Sequence, residues 1–220
     1  MKKRFIIFSL AFILCFICLS GCKDEFTLKD YVSYYQSNVY EGTCNGIKIT
    51  AYYGKSENPY KSDGIKGELF PYLTFKLNAV EPNANYQIKI ITDKEYQADF
   101  SFEPIKSHLV AKLPVKELNM DGFEATVTVK NEPTVVKFSS IVPDNVINID
   151  KALSSLYTNQ KSYIDSLKDG DKFNAEIILK LTVVNSKPYY YVGIADTSNN
   201  YKALLIDGYS AEILAIRNVY

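Results

Sequence analysis

The residues best able to act as nucleophile, base or metal ligand are few: four cysteines and one histidine. Cys15, Cys18 and Cys22 crowd the N-terminus, and Cys44 stands alone in Val39-Tyr40-Glu41-Gly42-Thr43-Cys44-Asn45-Gly46. A thiol attacks as the thiolate and needs a base or positive group beside it. The only imidazole, His108 in Lys106-Ser107-His108-Leu109, is distant in sequence, so Cys44 is read as a strand thiol. No G-x-S-x-G nucleophile turn accompanies the histidine. One imidazole and one remaining thiol cannot supply the three or four ligands of a zinc site. The acid-bearing turns at 57–68 and 207–212 lack the D-x-[DN]-x-[DN]-G order of a calcium loop. A glycosidase pair depends on spacing in space, and no acidic cluster lies on one strand face. There is no phosphate loop and no dinucleotide fingerprint. The expectation is a protein that is not an enzyme, with no metal and no cofactor.

The side chains left for recognition are aromatic: 18 Tyr and 12 Phe with no Trp. Tyrosine suits a binding surface because its body is apolar and its tip polar. Tyr34-Tyr35, Tyr52-Tyr53 with Tyr60 and Tyr72, and Tyr189-Tyr190-Tyr191 are the candidate groups. Strand alternation turns the middle ring of Tyr189-Tyr190-Tyr191 away from its neighbours. Tyr52, Tyr60, Tyr72 and Tyr190 are taken as the candidate binding surface, against the plainer reading of packing within pleated sheets. The absence of Trp weighs against carbohydrate binding.

The N-terminus carries its own chemistry. Met1-Lys2-Lys3-Arg4 is basic, and Phe5 to Leu19 is an apolar run of 15 residues. A bilayer-spanning helix needs roughly 20. A basic start, a short apolar stretch and small residues after it describe a secretory signal peptide. Leu19-Ser20-Gly21-Cys22 resembles the bacterial lipobox: an aliphatic residue, two small residues and a cysteine. The resemblance covers residues 1–22 and implies cleavage before Cys22, with a diacylglyceryl group joined to its sulfur. Two acyl chains suffice for stable anchoring where one does not, and Lys23 adds a small attraction for anionic head groups. The expected location is the extracytoplasmic face of the cell membrane, with the membrane itself as a partner through Cys22.

The first 21 residues hold three of the 25 basic residues and none of the 25 acids, so a chain beginning at Cys22 carries about −3. It has no basic surplus and no Lys/Arg cluster in sequence, so nucleic acid is not an expected partner. With Cys22 acylated, Cys44 has no partner for an internal disulfide.

These features need elements to position them. Residues 22–37 are polar and read as a tether, or as a short helix through Phe26, Leu28, Tyr31 and Tyr34-Tyr35. From 38 to 143 the period is two, with strands expected at 47–53, 68–80, 86–91, 96–102, 109–115, 123–129 and 135–142. Residues 54–67 read as a loop dense in turn formers. About seven strands at this rhythm predict a β-sandwich of immunoglobulin-like architecture, without the Cys…Trp…Cys core of a true immunoglobulin domain. The period changes after Pro143-Asp144-Asn145. Ile149, Ala152, Leu153, Leu156, Tyr157, Gln160, Tyr163, Ile164 and Leu167 share one helical face, predicting a helix of about 18 residues. Asn148 or Asp150 caps it, and Gly170 is its left-handed C′ residue. Strands follow at 173–184, 189–195, 201–206 and 211–219. One helix across four antiparallel strands gives a small α+β domain over 144–220. The expected fold is thus mainly β, a sandwich followed by that domain.

The order helix, strands, then Leu205-Ile206-Asp207-Gly208-Tyr209-Ser210-Ala211-Glu212-Ile213-Leu214 resembles the PepSY type of small exported domain over residues 149–220. It departs at Ala211, where that pattern usually has a glycine able to take positive φ. The resemblance implies a non-catalytic domain, of a family proposed to bind or inhibit peptidases near the cell wall. The leading expectation is therefore a lipid-anchored, non-catalytic protein-interaction or accessory module whose partner is a cell-envelope protein. The alternative is a glycan- or small-solute-binding lipoprotein using the 54–67 loop or the tyrosine faces. A cell-wall hydrolase is the least supported reading.

Overall fold

The computed structural model describes residues 26–59, 63–65, 67–78, 84–104, 106–170, 172–198 and 200–219. The expected signal 1–21, Cys22 and Tyr60 lie outside the described residues. The described chain is mainly β, with antiparallel pairing that is nearly barrel-like.

The chain enters through a 3₁₀ turn, Leu28–Tyr31, capped by the Thr27 side chain. Strand β1 is Val32–Cys44 and β2 is Ile47–Glu57. Asn45 and Gly46 join them, both at positive φ (48° and 79°), the backbone that a two-residue hairpin twisting with its strands requires. Residues 32–37, read from sequence as tether, are the first half of β1. Likewise β2 runs on through Glu57, four residues into the expected loop.

Strands β3 (Leu69–Leu77), β4 (Tyr86–Ile91), β5 (Glu95–Asp99), β6 (Ser101–Glu103), β7 (His108–Leu113), β8 (Gly122–Val129) and β9 (Glu132–Ser140) follow. Pairing runs β1-β2-β3-β7-β6 on one side and β5-β4-β8-β9 on the other. The two sides meet where β9 pairs β1 (Tyr40 opposite Ser140) and where only Phe100 separates β5 from β6. The expected two separate sheets are therefore joined into one ladder that curves round its core. Tyr40, Phe75, Phe138, Ile88 and Val127 fill that interior. Phe123 and Phe138 stack at 4.9 Å, with Phe75 edge-on to Phe138 at 5.4 Å.

Helix α1 (Ile149–Asn159) is followed by α2 (Lys161–Ser166). The Asn148 side chain caps α1 by accepting the Lys151 N–H at 2.9 Å. The single helix expected from periodicity breaks at Gln160, which leaves helical backbone at φ −122°. Asn159 donates its side-chain amide to the Ser155 carbonyl at 2.9 Å, the kind of local bond that competes with helix propagation. Ile164 still reaches the core below. Gly170 is not the helix C′ residue. It has positive φ (58°) and lies between β10 (Lys168–Asp169) and β11 (Lys172–Phe173), a tiny hairpin.

Strands β12 (Ala175–Val184), β13 (Lys187–Asp196), β14 (Tyr201–Asp207) and β15 (Ile213–Val219) form the antiparallel meander expected. Ile177, Leu179, Leu181, Val192, Ile194 and Leu204 face Leu153, Leu156 and Ile164 in a second core. The meander joins the rest through β12, which pairs β1 in parallel (Val32 opposite Ile177, Gln36 opposite Lys180). Gln36 donates its side chain to the Leu181 carbonyl and Ser33 to that of Ile177, so buried polar groups tie the seam. The β14–β15 turn is organised by Asp207, whose Oδ1 accepts the N–H groups of Tyr209 and Ser210, each at 2.8 Å. Those two bonds, Ser210 first, hold the Asp207 carboxyl below its usual range. Ala211 takes φ 68° in this turn, so alanine adopts here the backbone for which a glycine was expected.

Candidate functional site

The ladder places one row of side chains opposite both cores. Ile49, Ala51, Leu73, Phe75 and Ala111 point inward. Strand alternation then sends Tyr52, Tyr72, Thr74, Lys76 and Lys112 to the other face. Register fixes their neighbours: Tyr52 lies opposite Thr74, Thr74 opposite Lys112, and Gly54 opposite both Tyr72 and Gln36. Across the β1 seam, Lys180 lies opposite Gln36 and Tyr191. One continuous face therefore carries Tyr34, Tyr52, Tyr72 and Tyr191 with Lys76, Lys112 and Lys180.

The rings and ammonium groups interlock. Tyr34 and Tyr72 have centroids 5.4 Å apart. Lys112 Nζ sits 4.3 Å from the Tyr72 centroid, Lys180 5.1 Å from Tyr34, and Lys76 4.8 Å from Tyr52. A cation over an aromatic face is held by the ring quadrupole. The close fit needs Gly54. A β-carbon there would stand 2.1 Å from the Tyr35 carbonyl oxygen and 2.8 Å from the Tyr72 hydroxyl.

The charges on this face are not balanced by acids. Glu41 is engaged by Lys48 at 2.6 Å, and Glu103 by Lys106 and His108, each at 2.9 Å. Among the described residues, Lys76, Lys112 and Lys180 have no ion pair; Lys112 donates only to Ser56 Oγ, at 3.3 Å. Burial pulls all three amines below the usual lysine range. Repulsion from Lys106 adds to this at Lys76, against a smaller pull from Glu103. Repulsion from Lys76 and Lys106 adds to it at Lys180. Tyr72 is 2% exposed, and its hydroxyl lacks a well-formed hydrogen bond. Burial, then the neighbouring Tyr34 phenol, push that hydroxyl above the ordinary phenol range.

Of the residues singled out from sequence, Tyr52 and Tyr72 lie together on this face. Tyr190 does not. It is 3% exposed in the second core and donates its hydroxyl to the Ile147 carbonyl at 2.8 Å. The reason is register: Tyr190 lies opposite Leu181 and Ile206, both core-facing, which leaves Tyr189 and Tyr191 for the other side. Tyr60 and the acylation candidate Cys22 are outside the described residues. Cys44 ends β1 at 1% exposure, with its thiol free inside the first core. His108 starts β7 with Nδ1 3.1 Å from the Lys106 carbonyl oxygen.

The three lysines were missed from sequence. Each sits in a strand at the period of the outward row, a signal that could have been read beside the tyrosines. Among the described residues no group of three His, Cys, Asp or Glu can hold a metal ion. Glu176 is 2% exposed; its Oε1 accepts the Asp63 N–H at 3.0 Å and its Oε2 has no partner. A cleft of ≈ 230 Å³ lies between the 3₁₀ turn and α1, beside the Lys29–Asp150 ion pair. No helix among the described residues is long and apolar enough to cross a membrane.

No protein-family model, curated protein or solved structure matches the chain.

Proposed function

We propose that this chain is a lipid-anchored, extracytoplasmic binding lipoprotein that acts without catalysis through the tyrosine–lysine face of its sheet. The observation that carries the reading is the set of three lysines, Lys76 and Lys180 half-buried and Lys112 exposed, each over a tyrosine ring and none paired with an acid. Desolvated charge without a partner costs stability, and a ligand of opposite charge would offset that cost. The anchor rests on Leu19-Ser20-Gly21-Cys22. Of the two roles open from sequence, accessory protein module or ligand-binding lipoprotein, the charge of this face favours binding of an acidic partner.

The finer architecture belongs to the same proposal. Residues 38–143 are read as an immunoglobulin-like sandwich whose two walls are joined at β9–β1 and β5–β6. Residues 144–220 are read as a PepSY-like α+β unit. The Asp207 turn supports the second reading, with Ser155 Oγ donating to the Ala211 carbonyl and so clamping the turn to α1. In this reading the unit supports the binding face rather than acting on a substrate.

The test is site-specific photocrosslinking in the native cells. A photoreactive residue at Thr74, between Tyr52 and Lys112 in the ladder, should give a discrete adduct. The same residue at Glu132, exposed at the start of β9, should not. Equal labelling from both positions would remove the face from consideration. Palmitate labelling of the wild type, lost in Cys22→Ala, tests the anchor separately.

A further inference from the structure

The proposed binding face has a charge pattern that narrows its ligand, and the inference rests on that reading of the face. Lys180 stands on β12, Lys76 on β3 and Lys112 on β7. Strands β12 and β7 are separated by β1, β2 and β3, four ladder spacings or about 19 Å of backbone. Positive charge spread this widely suits an extended chain bearing several anionic groups better than one small anion. Lysine binds carboxylate or phosphate as a point charge, without the planar fork that arginine would impose. Between the lysines the face offers neutral hydrogen-bonding groups: Thr74 and the tyrosine hydroxyls, with the buried Tyr72 hydroxyl beside the Tyr34 phenol.

We infer that the face formed by Tyr34, Tyr52, Tyr72, Lys76, Lys112 and Lys180 binds an acidic glycan, a sugar chain carrying carboxylate or phosphate groups. A glycan of this kind alternates anionic groups with hydroxyls, which matches lysines alternating with Thr and Tyr hydroxyls. Charge carries the attraction, so the lack of tryptophan is no obstacle. An acidic peptide would add most of its affinity by pairing its backbone with a sheet edge, but Lys76 and Lys180 lie in strands paired on both sides at those residues, Lys76 between Thr50 and Val110 and Lys180 between Gln36 and Tyr191.

The experiment is calorimetric titration of the purified full chain in detergent micelles. Four probes are compared: polygalacturonate, neutral dextran, poly-L-glutamate, and glycerophosphoglycerol as a soluble lipid head group. Polygalacturonate should bind saturably and dextran should not, with affinity falling as salt rises. Lys112→Gln and Lys180→Gln should each weaken binding about tenfold, the scale of one charge-assisted hydrogen bond. Thermal unfolding verifies that each variant is folded, and Lys76→Gln serves as the third variant if either melts early. Poly-L-glutamate or glycerophosphoglycerol binding as tightly, with the same lysine dependence, would overturn the glycan assignment and leave the binding face standing. Binding untouched by all three substitutions, or no binding by any probe, would overturn both.

Discussion

Tyr72→Phe separates a residue kept for packing from one kept for recognition. The Tyr72 hydroxyl is buried at 2% residue exposure, and its one hydrogen-bonding neighbour, the Tyr34 phenol, does not form a well-aligned bond with it. A buried hydroxyl with no partner costs about 1–3 kcal/mol in protein contexts, and a poorly aligned bond to Tyr34 offsets only part of that. Phenylalanine removes that cost and keeps the ring contacts with Tyr34 at 5.4 Å and Lys112 at 4.3 Å. The substitution should therefore stabilise the fold by about 1 kcal/mol, raising Tm by roughly 2–4 °C for a chain of this size. The assay is thermal unfolding followed by circular dichroism, in parallel with titration of an acidic glycan. The account expects a higher Tm together with weaker binding. A Tm lowered by 2 °C or more would mean the hydroxyl is satisfied in the native protein and would refute the argument. Unchanged affinity would remove the hydroxyl from the binding surface.

The opposite sign is expected at Tyr190→Phe, which leaves the Ile147 carbonyl without its 2.8 Å donor and should cost about 1 kcal/mol by the same melting assay. Phe138→Ala empties the contact between Phe123 and Phe75 and should destabilise by about 3–5 kcal/mol, read as a lower denaturant midpoint with an unchanged slope. Ala211→Gly relieves an alanine held at φ 68° and should stabilise by up to about 1 kcal/mol, whereas Ala211→Val should destabilise; equal melting of the two would contradict the strain argument. Asp165 is held down to about 2 by hydrogen bonds first from Lys161 and then from Lys168. Its folded pKa lies below the unfolded value, so its contribution is present above about pH 4 and lost as pH falls toward 2. Asp165→Asn should flatten the stability profile across that window, measured by denaturant titration at stepped pH.

Local pattern and tertiary pairing were not equally legible. Strand β4 matches its sequence span, because Ile88 and Ile90 alternate between turn residues. The β12–β15 meander is legible for the same reason, each turn lying between alternating runs. The first half of β1 was not. Val32 to Gln36 mixes buried Ser33 and Gln36 with tyrosines, so no period of two stands out, and its parallel partner lies about 145 residues away. Nothing in local turn chemistry specifies such a pairing. Once it forms, the meander and the curved sheet share a ladder, and the outward rows of β12 and β3 become one face. That is why Tyr52 and Tyr72 could be nominated from sequence while Lys180 could not be joined to them. Tyr190 was misplaced for a smaller reason: alternation fixes that the three rings at 189–191 split between faces, but only register against Leu181 and Ile206 says which way.

The claim on which the account depends is that Lys76, Lys112 and Lys180 meet a ligand at the cell surface. Quantitative lysine acylation, read by mass spectrometry, compares the anchored protein on intact cells with the same full chain purified in detergent. The account predicts that these three amines are selectively protected on cells, and that a wash in concentrated salt abolishes the protection, while exposed Lys172 and Lys187 react equally in both. Equal reactivity of all five lysines, or protection confined to Lys172 and Lys187, would contradict it.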